Sequence, residues 1–568
     1  MLLNFLKKTS RRVSTKNFQI KKVAQILSNF FVVYFKYFKN KINLGENWQR
    51  NASFLFLLLL LPFQSFSNFY GVELENGGDM NLENLIKNLE AKVIGETNLD
   101  ILDITYNSKK VKKGSLFVCL CGENSDGHDF AKDAERNGAA AILCEKQVQV
   151  NISQIVVSST RKALSKVFSC FYDNPQNKLK IIGLTGTNGK TTTSFLIKSI
   201  LEESGKKVGL IGTQGAFIGK QFFQTGLTTP DPQLLFKLLK QMVDFGVEYV
   251  VMEVSAHALA LDKTEGIVFE VGVLTNLTQD HLDFFKTMEN YKHAKLKLFE
   301  RNKIKSAVLN FDDEFGRKLA ETITVPFLSY SLNNPSDVFA AKIGNKNGKN
   351  KFIVNILDNV FDVESNLIGE FNIYNSLAAA SVAAMLGCST KQIKNGLEKL
   401  LGVEGRLNRF NLSNGVVAFI DFAHTPDGIE QALNAIRELK FKQIITVFGC
   451  SGNRDKDKRH KMGQIAEKLS DYVVLTTDNP RFENPELILD DIEIGMEKTA
   501  HTRFVSREQA IEFALTLAKK GDCVAILGKG AETYQDINGV NVPYSDFEVV
   551  KNFNENLHRE FFEKNLKA

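Results

Sequence analysis

Cysteine is scarce and scattered in this 568-residue chain: seven residues, an odd number, with no C-x-x-C pair among them. That pattern argues against a disulfide framework or a cysteine-based zinc site and fits a reduced, cytosolic compartment. No apolar run is long enough to span a bilayer; residues 54–61 (FLFLLLLL) fall well short of the roughly 20 that a helix needs. Internal repeats and low-complexity tracts are also missing. So is a charge excess over most of the chain. The formal net charge is +6, but residues 1–79 hold 11 Lys and Arg against 4 Asp and Glu. From Met80 onward 60 basic residues meet 61 acidic ones, which gives no electrostatic reason to expect a nucleic-acid partner.

What is present begins with residues 178–193, KLKIIGLTGTNGKTTT. Ile181, Ile182 and Leu184 read as a buried strand, which breaks at Gly186-Thr-Asn-Gly189. Lys190 and Thr191 then open a helix whose apolar residues Phe195, Leu196, Ile200 and Leu201 recur on one side, and which stops before Gly205. A strand, a glycine turn and a helix N-terminus carrying Lys-Thr make a phosphate cradle. Backbone N–H groups and the helix dipole face the anion, Lys190 adds charge, and the Thr191 hydroxyl can ligate Mg²⁺. The match to G-x-x-x-x-G-K-[ST] is imperfect, because leucine stands at 184 and Gly183 comes one place early. We read G-x-x-G-K-T as an ATP site.

Residues 1–79 differ from the rest: basic, rich in Phe and Asn, then the short apolar run and Pro62. A signal would need a cleavage site that is not there, and export would separate an ATP enzyme from its ATP. A membrane-peripheral tail is the second reading. The favoured one is a segment outside the enzyme fold, with the natural start at Met80 after the glycine-rich 77–79.

From Met80 the chain reads as α/β in three domains. Residues 80–175 form a small N-terminal α/β unit with an opening helix (Leu82, Leu85, Ile86, Leu89), a strand–basic turn–strand, short strands at 139–144 and 155–158, and a helix at 162–172. Residues 176–401 alternate strands with helices around the phosphate loop, the pattern of a mostly parallel, P-loop-type ATPase sheet. Residues 402–568 repeat the alternation as a Rossmann-like unit, with strands at 416–421, 444–449, 472–477 and 523–527. Strand ends are chemically loaded: Glu253, Ser255 and His257 after one, Asn276, Asp280, His281 and Asp283 after another. The C-terminal unit adds DFAHTPD (421–427), GCSGNRD (449–455), TTDNPR (476–481) and GKGAE (528–532). Ligands of open α/β sheets sit outside the carboxyl ends of strands, so these groups stand where the phosphates must be. The plainer alternative is surface charge capping the following helices.

With these residues assembled, the chain resembles the Mur ligases of cell-wall synthesis over residues 80–568. The ordered motifs are GTNGKTTT (186–193), TTPDP (228–232), MEVSAHAL (252–259), TNLTQDHLDF (275–284), HAKLKLF (293–299), GEFNIYN (369–375), GRLNRF (405–410), DFAHTPD, DNPR (478–481) and GKGAETYQ (528–535). The resemblance implies ATP-dependent amide formation through an acyl phosphate. It implies a nucleotide-sugar dipeptide, UDP-N-acetylmuramoyl-L-alanyl-D-glutamate, as acceptor and meso-diaminopimelate as incoming amine, in a cytoplasmic and monomeric enzyme. On this resemblance Gly186, Thr187, Asn188, Gly189, Lys190, Thr191 and Thr192 hold the phosphates, and Asn375, Arg406 and Asp421 fall where adenine, phosphate and ribose are held. Thr191 and Glu253 resemble ligands of one Mg²⁺ and His281 of a second. Lys295 aligns with a carbamylated lysine that completes the second site. Catalysis is thereby assigned to Lys190, Glu253, His281 and Lys295. Ser108 falls at the uridine, and Thr228, Thr229, Ser255 and Lys263 at the muramoyl dipeptide. Arg454, Asp478, Asn479, Pro480, Arg481, Gly528 and Glu532 fall at the amino acid, with Arg481 as the fork for its distal carboxylate.

The chain departs from the family pattern at Asn107-Ser108-Lys109, where Asp-Ser-Arg is usual, at Leu261 and Lys263, and at Asn408. A folylpolyglutamate synthetase-like ligase is disfavoured by TTPDP and DNPR, and a lysine-adding ligase of the same step by Arg481. A non-catalytic nucleotide-binding scaffold would be expected to have lost Lys190, Glu253, His281 or Lys295; all four are present.

Overall fold

The computed structural model describes residues 80–122, 125–346, 348–497 and 501–567. By its contacts the chain divides into Met1–Glu73 and Leu74–Ala568. The extension, its apolar run and the reading of Met80 as the start fall on or border residues 1–79, which lie outside the described residues. Among the described residues no helix is long and apolar enough to cross a membrane.

Three large sheets carry the described chain, beside two two-stranded ribbons at 80–81 with 100–101 and at 534–537 with 540–543. The first has five strands in the order 91–94, 153–157, 139–144, 115–118, 103–105, all parallel except the first. The expected strand–basic turn–strand is therefore no hairpin: Asp103–Thr105 and Ser115–Val118 run parallel, with a 3₁₀ turn at Ser108–Lys110 between them. The opening helix is shorter than its apolar spacing suggests, Leu82–Ile86, with Leu89 beyond its end.

The middle sheet has eleven strands, and its centre is the run Lys180–Thr185, with Tyr249–Glu253 on one side and Val271–Leu274 on the other. Seven neighbouring strands, from Val208–Gly212 to Val338–Lys346, are parallel, and the five from Val208–Gly212 to Ala307–Asn310 are almost wholly buried and read as nearly continuous apolar runs. Antiparallel strands extend both edges: Gly215–Ile218 and Gln221–Phe223 at one, Lys349–Ile356 and Asn359–Ser365 at the other. The chain leaves Lys180–Thr185 for one half of the sheet and later crosses to the other. Such a switch point opens a crevice at the strand ends. The helix after the phosphate loop is Lys190–Glu203 and buries Leu196, Ile197, Ile200 and Leu201. Phe195 is not on that face; it is half-buried against the Phe217 ring.

The third sheet orders its strands 408–411, 417–421, 523–527, 444–448, 472–476, 501–504, parallel except the first. The first two sheets share one apolar core, in which Phe168 and Tyr172 pack with Leu235 and Leu239. The third sheet has separate cores on its two faces. It meets the middle sheet's domain through polar pairs and through Ile368 and Phe371, which pack into its core, and the cleft lies along that seam.

Candidate active site

The cleft has a volume of about 560 Å³, and loops at the strand ends of the middle and third sheets line it. Its floor is the phosphate loop. Gly186 and Gly189 have φ of +149° and +86°, and a Cβ on either would fall 1.8 Å from Thr275 Oγ1 or 2.4 Å from Asn375 Oδ1. Only glycine fits both. The loop is tied down from behind: Asn188 N donates to Asn276 Oδ1 (2.8 Å), and Thr275 Oγ1 donates to Asn188 O (2.7 Å). Lys190 Nζ folds over the loop and donates to Gly186 O (2.8 Å) and Thr187 O (2.9 Å). Burial lowers its pKa, with Arg406 adding to the effect and Glu253 opposing it.

At the end of the neighbouring strand, Glu253 is fully buried among hydroxyls. Its Oε2 accepts from Thr191 Oγ1 (3.1 Å) and Thr213 Oγ1 (3.0 Å), and its Oε1 accepts from Thr213 N (3.0 Å). Arg406 reaches across from the third sheet to donate to Thr191 Oγ1 (2.9 Å), with its guanidinium stacked on Phe422. Asp421 accepts from Leu407 N and Ala423 N, and burial raises its carboxyl despite the nearby Arg406. Asn375 accepts from Thr193 Oγ1 at 3.2 Å.

A second cluster surrounds His281, whose backbone is left-handed at φ 57°. Burial holds the His281 imidazole down at about 3, with His257, His424 and Lys190 adding to that and Asp280 opposing. The ring is neutral at pH 7 and keeps a lone pair. Asp280 lies 3.3 Å from His281 Nε2, 3.7 Å from His424 Nε2 and 3.4 Å from Lys458 Nζ. Burial alone would raise the Asp280 carboxyl, but Lys458 and the histidines hold it well below its ordinary value. Lys295, 1% exposed, follows on the helix Met288–Leu296, and burial drives its ammonium well down, with Lys190 adding to the shift.

The far end of the cleft belongs to the third sheet. Arg454 Nη1 stands 3.4 Å from Asp283 Oδ2. Arg481 Nη1 donates to Gly452 O (3.1 Å), and its Nε is 3.5 Å from Asp536. Asn479 Nδ2 donates to Glu532 Oε2 (3.0 Å), and Ser451 Oγ donates to Asp478 Oδ2 (2.8 Å).

The cleft thus gathers Gly186 to Thr192, Thr228, Glu253, Ser255, His281, Lys295, Asn375, Arg406, Asp421, Arg454, Asp478, Asn479, Arg481, Gly528 and Glu532. Four residues named from the sequence are not on its wall. Thr229 is buried behind it, donating to Glu253 O (2.9 Å) and accepting from Ser255 N (3.0 Å). Lys263 is paired with Asp231 at 2.7 Å. Pro480 turns its carbonyl to Glu483 N. Ser108 sits in the first unit, its carbonyl accepting from Asn137 Nδ2. Sequence reasoning gave no role to Thr213, Lys458 or Lys529. Asp280 was named among the strand-end acids but given no role, and His424 lay unremarked inside a quoted motif; nothing local marks Lys458. Outside the cleft, Cys121, Asp126 and His128 converge, but His128 Nε2 accepts from Glu145 N and Nδ1 lies 2.5 Å from Asp126 Oδ1. Both ring nitrogens are used, which leaves no lone pair for a metal.

Three family descriptions match the chain in order: the Mur ligase family catalytic domain over residues 100–172, the Mur ligase middle domain over 184–383, and the Mur ligase glutamate ligase domain over 405–530. A relative in Clostridium tetani named UDP-N-acetylmuramoyl-L-alanyl-D-glutamate–2,6-diaminopimelate ligase is 42% identical over 489 residues, spanning 84% of this chain and 100% of that protein. The chain belongs to the Mur ligase family. A ligase of the same name in Bacillus velezensis is 42% identical over 79% of this chain and 93% of its own. A solved structure with that name superposes on this Mur ligase with a TM-score of 0.60 and 30% identity, over 84% of this chain and 99% of its own. The MurF ligase from Thermotoga maritima in complex with ADP, 23% identical with a TM-score of 0.55 over 81% of this chain and 98% of its own, shares the fold.

Proposed function

We propose that this Mur ligase joins meso-2,6-diaminopimelate to UDP-N-acetylmuramoyl-L-alanyl-D-glutamate in peptidoglycan precursor synthesis, at the expense of ATP. One observation carries the reading: a phosphate loop, a buried Thr191–Glu253 pair and a neutral His281 share one cleft with the Arg481 and Glu532 end. A carboxylate is a poor electrophile. Its oxygen attacks the γ-phosphate, ADP leaves, and an acyl phosphate results. The amine then attacks the carbonyl carbon, loses a proton, and phosphate departs.

The chain's own groups supply position and charge. Lys190, the loop N–H groups and the N-terminus of helix Lys190–Glu203 receive the phosphates, and Arg406 and Asp421 hold the nucleotide. The hydroxyl of Thr191 and the carboxylate of Glu253 are an oxygen pair that suits Mg²⁺. His281 suits a second ion. Lys295 as an ammonium would repel it. As a neutral amine Lys295 can add to CO₂ and release a proton, giving a carbamate that suits the ion instead. Magnesium, when bound, neutralises phosphate charge during transfer. In this reading residues 80–175 take the uridine end through Ser108, 176–401 take ATP, and 402–568 take the amino acid. Thr228 and Ser255 face the dipeptide. The need for ATP supports a cytoplasmic enzyme.

The test is phosphate release by the full chain with ATP, the nucleotide dipeptide and each candidate amine. Release should require the dipeptide and diaminopimelate together. Equal release with lysine would move the assignment to the lysine-adding reaction, and release without the dipeptide would overturn it.

A further inference from the structure

Lys529 has no part in the roles above, yet it is fully buried beneath the amino-acid end of the cleft. It lies on the loop after strand Cys523–Leu527 and is not on the cleft wall, whereas three residues around it are. Its Nζ donates to Glu532 Oε2 (2.7 Å) and to Asn479 Oδ1 (3.0 Å), and stands 3.6 Å from Asp478 Oδ1.

These bonds fix what the cleft presents. Asn479 Oδ1 accepts from both Lys529 and Asp536 N (3.0 Å), so the amide cannot flip and Nδ2 is left as its donor face. Glu532 Oε2 is taken by Lys529 and Asn479, leaving Oε1 for an incoming group. Asp478 Oδ1 is buried with no hydrogen-bond donor, an arrangement that a bound ammonium would relieve. Burial alone would raise the Asp478 carboxyl, but Lys529 and then Arg507 hold it low.

We propose that Lys529 is a positioning residue for amino-acid selection. It orients Asn479 and Glu532, sets its ammonium beside Asp478, and sets the charge of this end so that a diamino acid with a second carboxylate is preferred to one without it. The proposal rests on the diaminopimelate-adding reading. Its electrostatic consequence is specific: without Lys529 the pocket is one unit more negative. That favours lysine, a net cation, over diaminopimelate, a net-neutral molecule.

The experiment compares wild type with Lys529→Met, which removes charge and hydrogen bonds, and Lys529→Gln, which keeps a donor without the charge. Both are assayed with diaminopimelate and with lysine at saturating ATP and nucleotide dipeptide. In Lys529→Met the KM for diaminopimelate should rise roughly tenfold or more, with less than about a twofold change for ATP. In both variants the ratio of kcat/KM for diaminopimelate to that for lysine should fall by about tenfold. Lys529→Gln should show the smaller rise in KM but the same shift in ratio. An unchanged ratio, equal changes in every KM, or loss of folded protein in both variants would overturn the proposal. A wild-type enzyme inert with diaminopimelate would sink the functional reading first, and this proposal with it.

Discussion

Lys295 Nζ lies 4.3 Å from the centre of the Tyr291 ring, and among the described residues it has no carboxylate within ion-pairing distance. A buried lysine without a counter-charge gives up its proton readily, which is the state that reacts with CO₂. On the proposed role of Lys295, Lys295→Ala should therefore lower kcat roughly a hundredfold or more. Added formate or acetate should restore part of the activity by standing in for the carbamate. If short carboxylic acids give no recovery, the carbamate assignment has no support.

Acid stability should reveal the Arg459 pocket. The Arg459 guanidinium is buried between Glu483 Oε2 (3.0 Å) and Asp491 Oδ2 (2.8 Å), and it also donates to Ser451 O (3.2 Å). Burial would raise the Glu483 carboxyl, but its bonds to Arg459 and Asn453 bring it from 4.5 down to about 2. The folded value lies below the unfolded one. The stabilisation is therefore complete above pH 4.5 and is lost as pH falls from 4.5 through about 2. Glu483→Gln should cost about 2 kcal/mol near neutral pH, because it leaves a buried guanidinium short of one charge partner. The gap between wild type and variant, followed by thermal unfolding, should close across that acid window. A gap that stays constant from pH 6 to the acid limit would place the stabilisation elsewhere.

The parallel strands and the phosphate loop were legible because both follow from local pattern. A strand covered by helices on both faces must be apolar along its buried length, as residues 181–184 and Cys523–Leu527 are. The loop must have glycine where backbone or side chains crowd it, as Gly186 and Gly189 show. The antiparallel edge strands 349–365 were not read, since half-exposed hairpin strands alternate and carry no strand-end chemistry. The Asp280–Lys458 pair was hidden for another reason. Its members are 178 positions apart and meet only where two sheets face each other. Lys529 stood inside the quoted GKGAE without a role, and its burial and bonds reveal that it is enclosed by three cleft residues.

In the proposed function, the choice of amino acid rests on Arg481. Diaminopimelate differs from lysine by one carboxylate on the far carbon, and a planar guanidinium fork is the group best shaped to grip it. Arg481 takes a left-handed backbone at φ 53°, a conformation unfavourable for a residue with a side chain. Backbone bonds hold it there: its N–H donates to Asp536 O (2.9 Å), and its carbonyl accepts from Asn538 N (2.8 Å). On the side chain, Nη1 is given to Gly452 O while Nη2 has no protein partner among the described residues, so the fork enters the cleft half-committed. Losing a desolvated charged contact of this kind is typically worth several kcal/mol, enough for discrimination of about a thousandfold. Arg481→Ala should therefore raise the KM for diaminopimelate far more than those for ATP or the nucleotide dipeptide, and should narrow the preference over lysine. Arg481→Lys should recover only part of it, because an ammonium offers charge without the fork. The assignment fails if the wild-type enzyme uses lysine as readily as diaminopimelate, or if the alanine variant keeps the wild-type preference.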